Sequence, residues 1–321
     1  MAMVAANPGL GASRVVKKLK TGVVGAGVFG AFHAGKHLAS ARAELVGIHD
    51  LDQGRARAVA DRFGCRAFAA FADLVERVDA LVIASPAPTH YRLAREALEA
   101  GRHVYVEKPL AMNLREADQL IGLAEKKAVV LQVGHQERFV LEALGAPRAD
   151  ALPRLLEFSR CAPPCGRGED VSVVYDLMIH DLDIARLFGC GRPQRISACG
   201  DAHETVATLI FEGGREASFI ASRRANQRRR QLTATYDDGA IEIDFMARSV
   251  VCNGSRATVE SAFADPLGAS VEAFFSSILD GAPTIVDGRA GRSALEWAIL
   301  IEDARLELNA EVADDAKRLI A

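Results

Sequence analysis

At 321 residues the chain is long enough for two cores, and its composition, half hydrophobic and a quarter charged, excludes a disordered polymer. A net charge of −3 gives no overall attraction for nucleic acid or an anionic membrane surface, although a local basic pocket can still take an anionic small molecule. No run reaches the roughly 18–20 apolar residues of a membrane-spanning helix.

Residues 1–18 read as a flexible leader, with Pro8, Gly9 and Gly11 and without the apolar run of a secretory signal. Strand Thr21–Val24 then breaks into Gly25, and Ala31–Ala39 reads as a helix. Strand Glu44–Asp50, helix Gln53–Phe63 and a short helix Ala72–Val78 follow. Ala80–Ala84 is almost wholly apolar, which suits a strand covered on both faces. Helix Thr89–Ala100, strand His103–Val106, helix Leu114–Lys126 and strand Val129–Val133 complete the first half. Strand–helix alternation with short connections predicts a parallel, doubly wound sheet. Beyond about residue 138 the pattern changes. A strand at Leu155–Cys161, a Pro/Gly loop and a helix at Val171–Phe188 precede five strand-like runs: Ile196–Cys199, Thr205–Phe211, Glu216–Ser222, Gln231–Tyr236 and Ala240–Phe245. Turn residues between them predict a largely antiparallel open sheet. Ser270–Leu279 and Gly291–Leu308 read as helices. The division is therefore a leader (1–18), a cofactor domain (19–138) and a substrate-binding and oligomerisation domain (139–321).

Gly25-Ala26-Gly27-Val28-Phe29-Gly30 has GxGxxG spacing between a strand and a helix. The first glycine permits the turn, the second admits a pyrophosphate and the third allows close helix packing, with helix N–H groups facing the anion. Asp50 ends the second strand 20 residues past Gly30, where a carboxylate accepts from an adenosine ribose. The pattern points to NAD, and Arg55 and Arg57 nearby leave NADP open.

Glu107-Lys108-Pro109 follows a strand at its carboxyl end, the edge where open α/β sheets bind ligands; the bond to Pro109 is a candidate cis peptide. A lysine there can stabilise charge on a reacting oxygen. In the helix Val171–Phe188, Asp176 and His180 stand at i and i+4, on one face. His180 suits proton removal near neutral pH, with Asp176 beside the substrate and Asp183 orienting the imidazole. Asp176 and His180 could also ligate a metal, but no third and fourth ligand accompanies them, so no metal is expected. The six cysteines contain no CxxC pair, and Cys161 and Cys165 have no second pair to complete a zinc site. Reduced thiols and a cytoplasmic location follow as expectations.

Taken in order, the GxGxxG segment, Ser85-Pro86 with Thr89-His90, Glu107-Lys108-Pro109 and the Asp176/His180 pair resemble the glucose-fructose oxidoreductase/inositol dehydrogenase/rhizopine catabolism family. The resemblance implies a Rossmann domain followed by an open-sheet α/β domain. It implies Lys108, Asp176 and His180 as catalytic residues flanking the substrate. It adds Ser85, Pro86, Thr89, His90, Glu107 and Lys108 to the cofactor site, with Thr89 and His90 near the nicotinamide, and it implies a homodimer or homotetramer. The segments Gly134–Phe139 and Val173–Asp181, with Arg223 and Arg230, are similar to a branch containing UDP-N-acetylglucosamine 3-dehydrogenases. That branch implies oxidation of the sugar C3 hydroxyl on the way to lipid A, with Arg138 and Arg223 binding substrate and the Arg228-Arg229-Arg230 run offering further cations. The branch continues its Arg-Phe with Asn-Pro, whereas Val140-Leu141 follow Phe139 here, so the sugar is left open. A dehydrogenase of a free polyol or simple sugar is the alternative, and a non-catalytic NAD(P)-binding sensor a second.

Overall fold

The computed structural model describes residues 18–144, 151–164, 170–257 and 265–320. Residues 1–17 of the expected leader, and Cys165 with the Gly166 and Gly168 part of the loop, lie outside them. Strands β1 (Leu19–Val24), β2 (Ala43–His49), β3 (Arg66–Phe68), β4 (Ala80–Ile83), β5 (His103–Val106) and β6 (Leu131–Val133) form a parallel sheet in the order β3-β2-β1-β4-β5-β6. The order reverses at β1/β4, and that reversal opens a crevice outside the carboxyl ends of the strands.

Helices α1 (Val28–Ala39), α2 (Gln53–Phe63), α3 (Phe71–Val75), α4 (His90–Glu99) and α5 (Leu114–Lys127) make the crossovers. Local chemistry sets their ends: the Asp52 carboxylate accepts from Arg55 N–H at the start of α2, and the Asn113 side chain accepts from Glu116 N–H at the start of α5. Gly64, at φ 65°, closes α2 in the left-handed region. The apolar run of β4 is explained by its two faces. Leu81 and Ile83 enter a core with Leu93, Leu98 and Leu120, while Ala80 and Val82 enter another with Tyr105, Phe274 and Phe275.

The second sheet contains β7 (Leu155–Cys161), β8 (Arg195–Gly200), β9 (Glu204–Ile210), β10 (Glu216–Ser222), β11 (Arg229–Tyr236), β12 (Gly239–Asp244), β13 (Ser249–Cys252) and β14 (Ser255–Ala257). Their order is β14-β13-β12-β11-β7-β10-β9-β8, antiparallel except for the β7–β10 pair. Alternate residues such as Leu156, Phe158, Phe219 and Leu232 are buried, and Val206 and Ile220 on the other face are exposed. Helix α6 (Glu137–Ala143) leads out of the first sheet, and α7 (Ile179–Leu187) covers the buried face of the second together with α9 (Gly288–Ile320), through Trp297 and Ile301.

Between them, α8 (Pro266–Leu279) returns to the first sheet and seats Phe275 against His37 of α1. Val133 N–H donates to Val286 C=O, so the chain also flanks the β6 edge. The helix expected from Val171 is not uniform: Val174–Met178 forms a π turn directly before α7. Such a turn takes up one extra residue, and it is often found at functional sites.

Candidate active site

The glycine loop is shaped by close approach. Gly25 has φ +98°, and a Cβ there would sit 2.6 Å from Ala84 O; one on Gly30 would sit 1.7 Å from Gly25 O. A Cβ on Gly27, by contrast, would meet no protein atom within 4 Å. The first and third glycines are thus required by packing, and the second keeps open the space a pyrophosphate needs. Ala26 lies in the same turn, and Val28 and Phe29 open α1 with exposed side chains.

Asp50 braces the loop, its Oδ2 accepting from Ala26 N–H at 2.7 Å and its Oδ1 from Asp52 N–H at 2.8 Å. Arg55, the candidate for a 2′-phosphate, lies 3.3 Å from Asp50 and 3.2 Å from Asp52, engaged by carboxylates. A cavity of about 340 Å³ runs from Gly25 and Gly27 past Asp50 to Ser85, Pro86 and Thr89. The donors, the carboxylate and the open space fit an adenine dinucleotide.

At the adjoining strand ends the expected residues divide into those that face the cavity and those that hold its wall. Ser85 Oγ and Thr89 Oγ1 are 2.7 Å apart, and Thr89 donates to Pro86 C=O at 2.7 Å. His90 is buried, with ring nitrogens 2.7 Å from Pro109 O and 2.8 Å from Ser85 O. It ties the β4 loop to the β5 loop, whose Lys108–Pro109 bond is cis. Glu107 is also buried: its Oε1 lies 2.7 Å from His33 Nε2 and accepts from Gln136 at 2.8 Å. His90 and Glu107 thus stand behind the surface that Thr89 and Lys108 present.

The second half delivers its groups to Lys108. The ammonium donates to Asp176 C=O at 2.6 Å and to Asp176 Oδ1 at 2.8 Å. Arg223, just past β10, donates to Asp176 Oδ2 at 3.0 Å and to Val171 C=O at 3.0 Å. Burial alone would raise the Asp176 pKa, but the two cations outweigh it and hold the carboxyl below its ordinary value. His180, one turn on, is pushed well below its ordinary value by burial and then by the positive charges of Lys108, Arg160 and Arg230. Its imidazole is therefore neutral near pH 7, the state a base requires.

Two expectations meet different partners. Asp183 does not orient His180. Its oxygens accept from Arg138 at 2.6 and 2.7 Å, and Arg138 also donates to Ile285 C=O at 3.2 Å. The guanidinium expected to bind substrate is thus committed to a buried carboxylate.

Three residues without a predicted role complete the site. His135, at the end of β6, packs edge-on against His180 with ring centroids 5.8 Å apart. It is buried, and its two ring nitrogens have no hydrogen-bond partner among the described residues. Arg160, on β7, is buried beneath α7 and bonds Asp181 at 2.7 Å and Glu137 at 3.0 Å. The strand alternation Leu156, Phe158, Arg160 could have flagged Arg160 as inward-facing. Cys161 is buried beside Arg229, 3.8 Å from its guanidinium.

A doubly wound sheet with this glycine loop, joined to an open sheet that brings Asp176 and His180 to Lys108, defines a dinucleotide-dependent oxidoreductase. Residues 19–135 match the family model described as an oxidoreductase family with an NAD-binding Rossmann fold. The chain is 34% identical over 306 residues to UDP-N-acetylglucosamine 3-dehydrogenase of Acidithiobacillus ferrooxidans, covering 89% of this chain and 97% of that one. A solved structure of that enzyme superposes with a TM-score of 0.84 at 33% identity, over 90% of this chain and 98% of the other. Myo-inositol 2-dehydrogenase of Thermotoga maritima is 27% identical over 319 residues, covering 86% and 93% of the two chains. The protein belongs to the glucose-fructose oxidoreductase/inositol dehydrogenase/rhizopine catabolism (Gfo/Idh/MocA) family. It is an NAD-binding dehydrogenase, and among the described residues no helix is long and apolar enough to cross a membrane.

Proposed function

We propose that the protein oxidises a secondary hydroxyl of a sugar, and that the substrate is UDP-N-acetylglucosamine, oxidised at C3 in a nucleotide-sugar route towards lipid A. The observation that carries the chemistry is the convergence of Lys108, Asp176 and His180 at the carboxyl edge of β5. The choice of sugar draws on the Acidithiobacillus relative, matched over nearly its whole length. Residues 19–138 hold the cofactor in this reading, 139–321 supply the substrate side, and the enzyme works in the cytoplasm as a homodimer or homotetramer.

His180, held neutral by burial and then by the cations around it, takes the hydroxyl proton. Lys108 points its ammonium at the oxygen and stabilises the charge that develops there, while Asp176 fixes the lysine in direction. Arg223 acts through Asp176, and Arg138 braces α7 through Asp183. The bound nicotinamide supplies the hydride acceptor. Incubation with NAD+ and UDP-N-acetylglucosamine, following NADH absorbance and the two-hydrogen mass loss on the sugar, tests the reading. Oxidation at C3 supports it; oxidation of myo-inositol or a free hexose alone replaces it with the polyol reading that the Thermotoga relative favours.

A further inference from the structure

Three arginines lie under the helix that carries His180. On β7 the alternating residues Leu156, Phe158 and Arg160 are buried, and on β11 Leu232, Ala234 and Tyr236 are. Side chains alternate along a strand, so Arg230, two residues before Leu232, points to the same helix-covered face. Arg230 pairs in register with Arg160, whose partner on the other side is Ala221. Arg223 follows two residues beyond Ala221. The row Arg230–Arg160–Arg223 therefore crosses the end of the sheet below Asp176, His180 and Asp181.

The three differ in how far their donors are committed. Arg160 is bonded to Asp181 at 2.7 Å and to Glu137 at 3.0 Å, and Arg223 to Asp176 and Val171 C=O. Arg230 has only Glu137 among the described residues, at 3.6 Å, too long for a hydrogen bond and with the same oxygen already accepting from Arg160. Its side chain is 45% exposed. Among the described residues Lys108 and Arg223 share the Asp176 carboxylate, and Arg160 and Arg230 share that of Glu137, so positive charge gathers at this end of the sheet. Arg228 adds to it through its charge on Arg230, with no carboxylate within ion-pair distance among the described residues. The same charge adds to burial in keeping His180 neutral. A half-exposed guanidinium with unspent donors in a positive field is suited to bidentate recognition of a phosphate.

We propose that Arg230 binds a phosphate group of the substrate and so selects phosphorylated or nucleotide-linked sugars over free ones. The proposal rests on the sugar-dehydrogenase reading above and assigns the anion contact to Arg230 rather than to Arg138 or Arg223. Arg230 shares the sheet face on which His180 stands, so a phosphate held there lies on the same side as the oxidised hydroxyl.

The test compares the wild type, Arg230→Gln and Arg230→Lys on UDP-N-acetylglucosamine, N-acetylglucosamine 1-phosphate and N-acetylglucosamine, with NAD+ binding and thermal unfolding as folding controls. Loss of a charge-assisted contact raises the KM for the phosphorylated substrates roughly 10- to 100-fold. The KM for the phosphorylated substrates rises relative to that for the free sugar, inhibition by UDP weakens by the same factor, and Arg230→Lys recovers part of the loss. A KM and UDP inhibition unchanged in Arg230→Gln, with the wild type turning over UDP-N-acetylglucosamine, overturn the role of Arg230 and leave the proposed function standing. A wild type that prefers the sugar 1-phosphate, with Arg230→Gln losing that preference, keeps Arg230 and replaces the nucleotide. A wild type that accepts only uncharged polyols and ignores UDP overturns both.

Discussion

Replacing Lys108 with Met removes the ammonium and keeps a side chain of similar length. The Lys108 side chain is 15% exposed and its ammonium is fixed by two acceptors on Asp176, at 2.6 and 2.8 Å, so it is aimed before substrate arrives. A preorganised donor of this kind is worth about 10²–10³-fold in kcat, and the variant should lose that much. Asp176 retains Arg223 at 3.0 Å, so the stability cost is about 1–3 kcal/mol rather than that of a stranded buried charge. NAD+ affinity should change by less than about tenfold, because the glycine loop and Asp50 are untouched.

The variant should also carry a pH signature. Lys108 is the first charged group holding His180 down, so without it the His180 pKa rises and the acid limb of the kcat profile moves to higher pH. Initial rates of NADH formation across pH, NAD+ titration and thermal unfolding measure all three effects. An unchanged kcat removes Lys108 from the chemistry. A reduced kcat with an unmoved acid limb leaves it acting on the oxygen but not on His180.

Asp50→Ala deprives Ala26 N–H and Asp52 N–H of their acceptor; NAD+ binding should weaken about tenfold or more and NADP+ binding less, which parallel titrations would show. Gly27→Ala meets no protein atom and should leave the Tm unchanged while weakening NAD+ binding. Gly30→Ala places a Cβ 1.7 Å from Gly25 O and should lower stability by about 1–3 kcal/mol or more; equal Tm values for the two variants would refute the packing account. His37 is buried and its pKa is lowered to about 3 by burial and then by His33. Between that value and the ordinary 6.5 only the unfolded chain takes the proton, so stability falls with pH, by about 2 kcal/mol at pH 5. His37→Leu should flatten the fall in Tm between pH 7 and pH 5, and an unchanged slope would show that other groups carry it.

What the sequence determines by itself here is local. Gly25–Gly30 is legible because a turn and a helix start depend on a few neighbouring residues, and Ala80–Ile83 because a strand buried on both faces must be apolar throughout. The helix that carries Asp176 and His180 is legible for the same reason, but the π turn at Val174–Met178, which changes the spacing between them, is not announced by the sequence. β3 and β14, of three residues each, show too little alternation to be seen, and both exist because a neighbouring strand offers its edge.

Only the tertiary structure decides which charges meet. Asp183 is three residues from His180 in sequence, yet it serves Arg138, 45 residues away. Arg160 reaches Asp181 and Glu137 from β7, and those contacts leave Arg230 without a hydrogen-bonded carboxylate among the described residues. Ion pairs are set by which side chains arrive at one desolvated point, and helical spacing cannot supply that information. His180 is held neutral first by its burial and then by cations that come from the β5 loop, β7 and β11, an environment brought together only by folding.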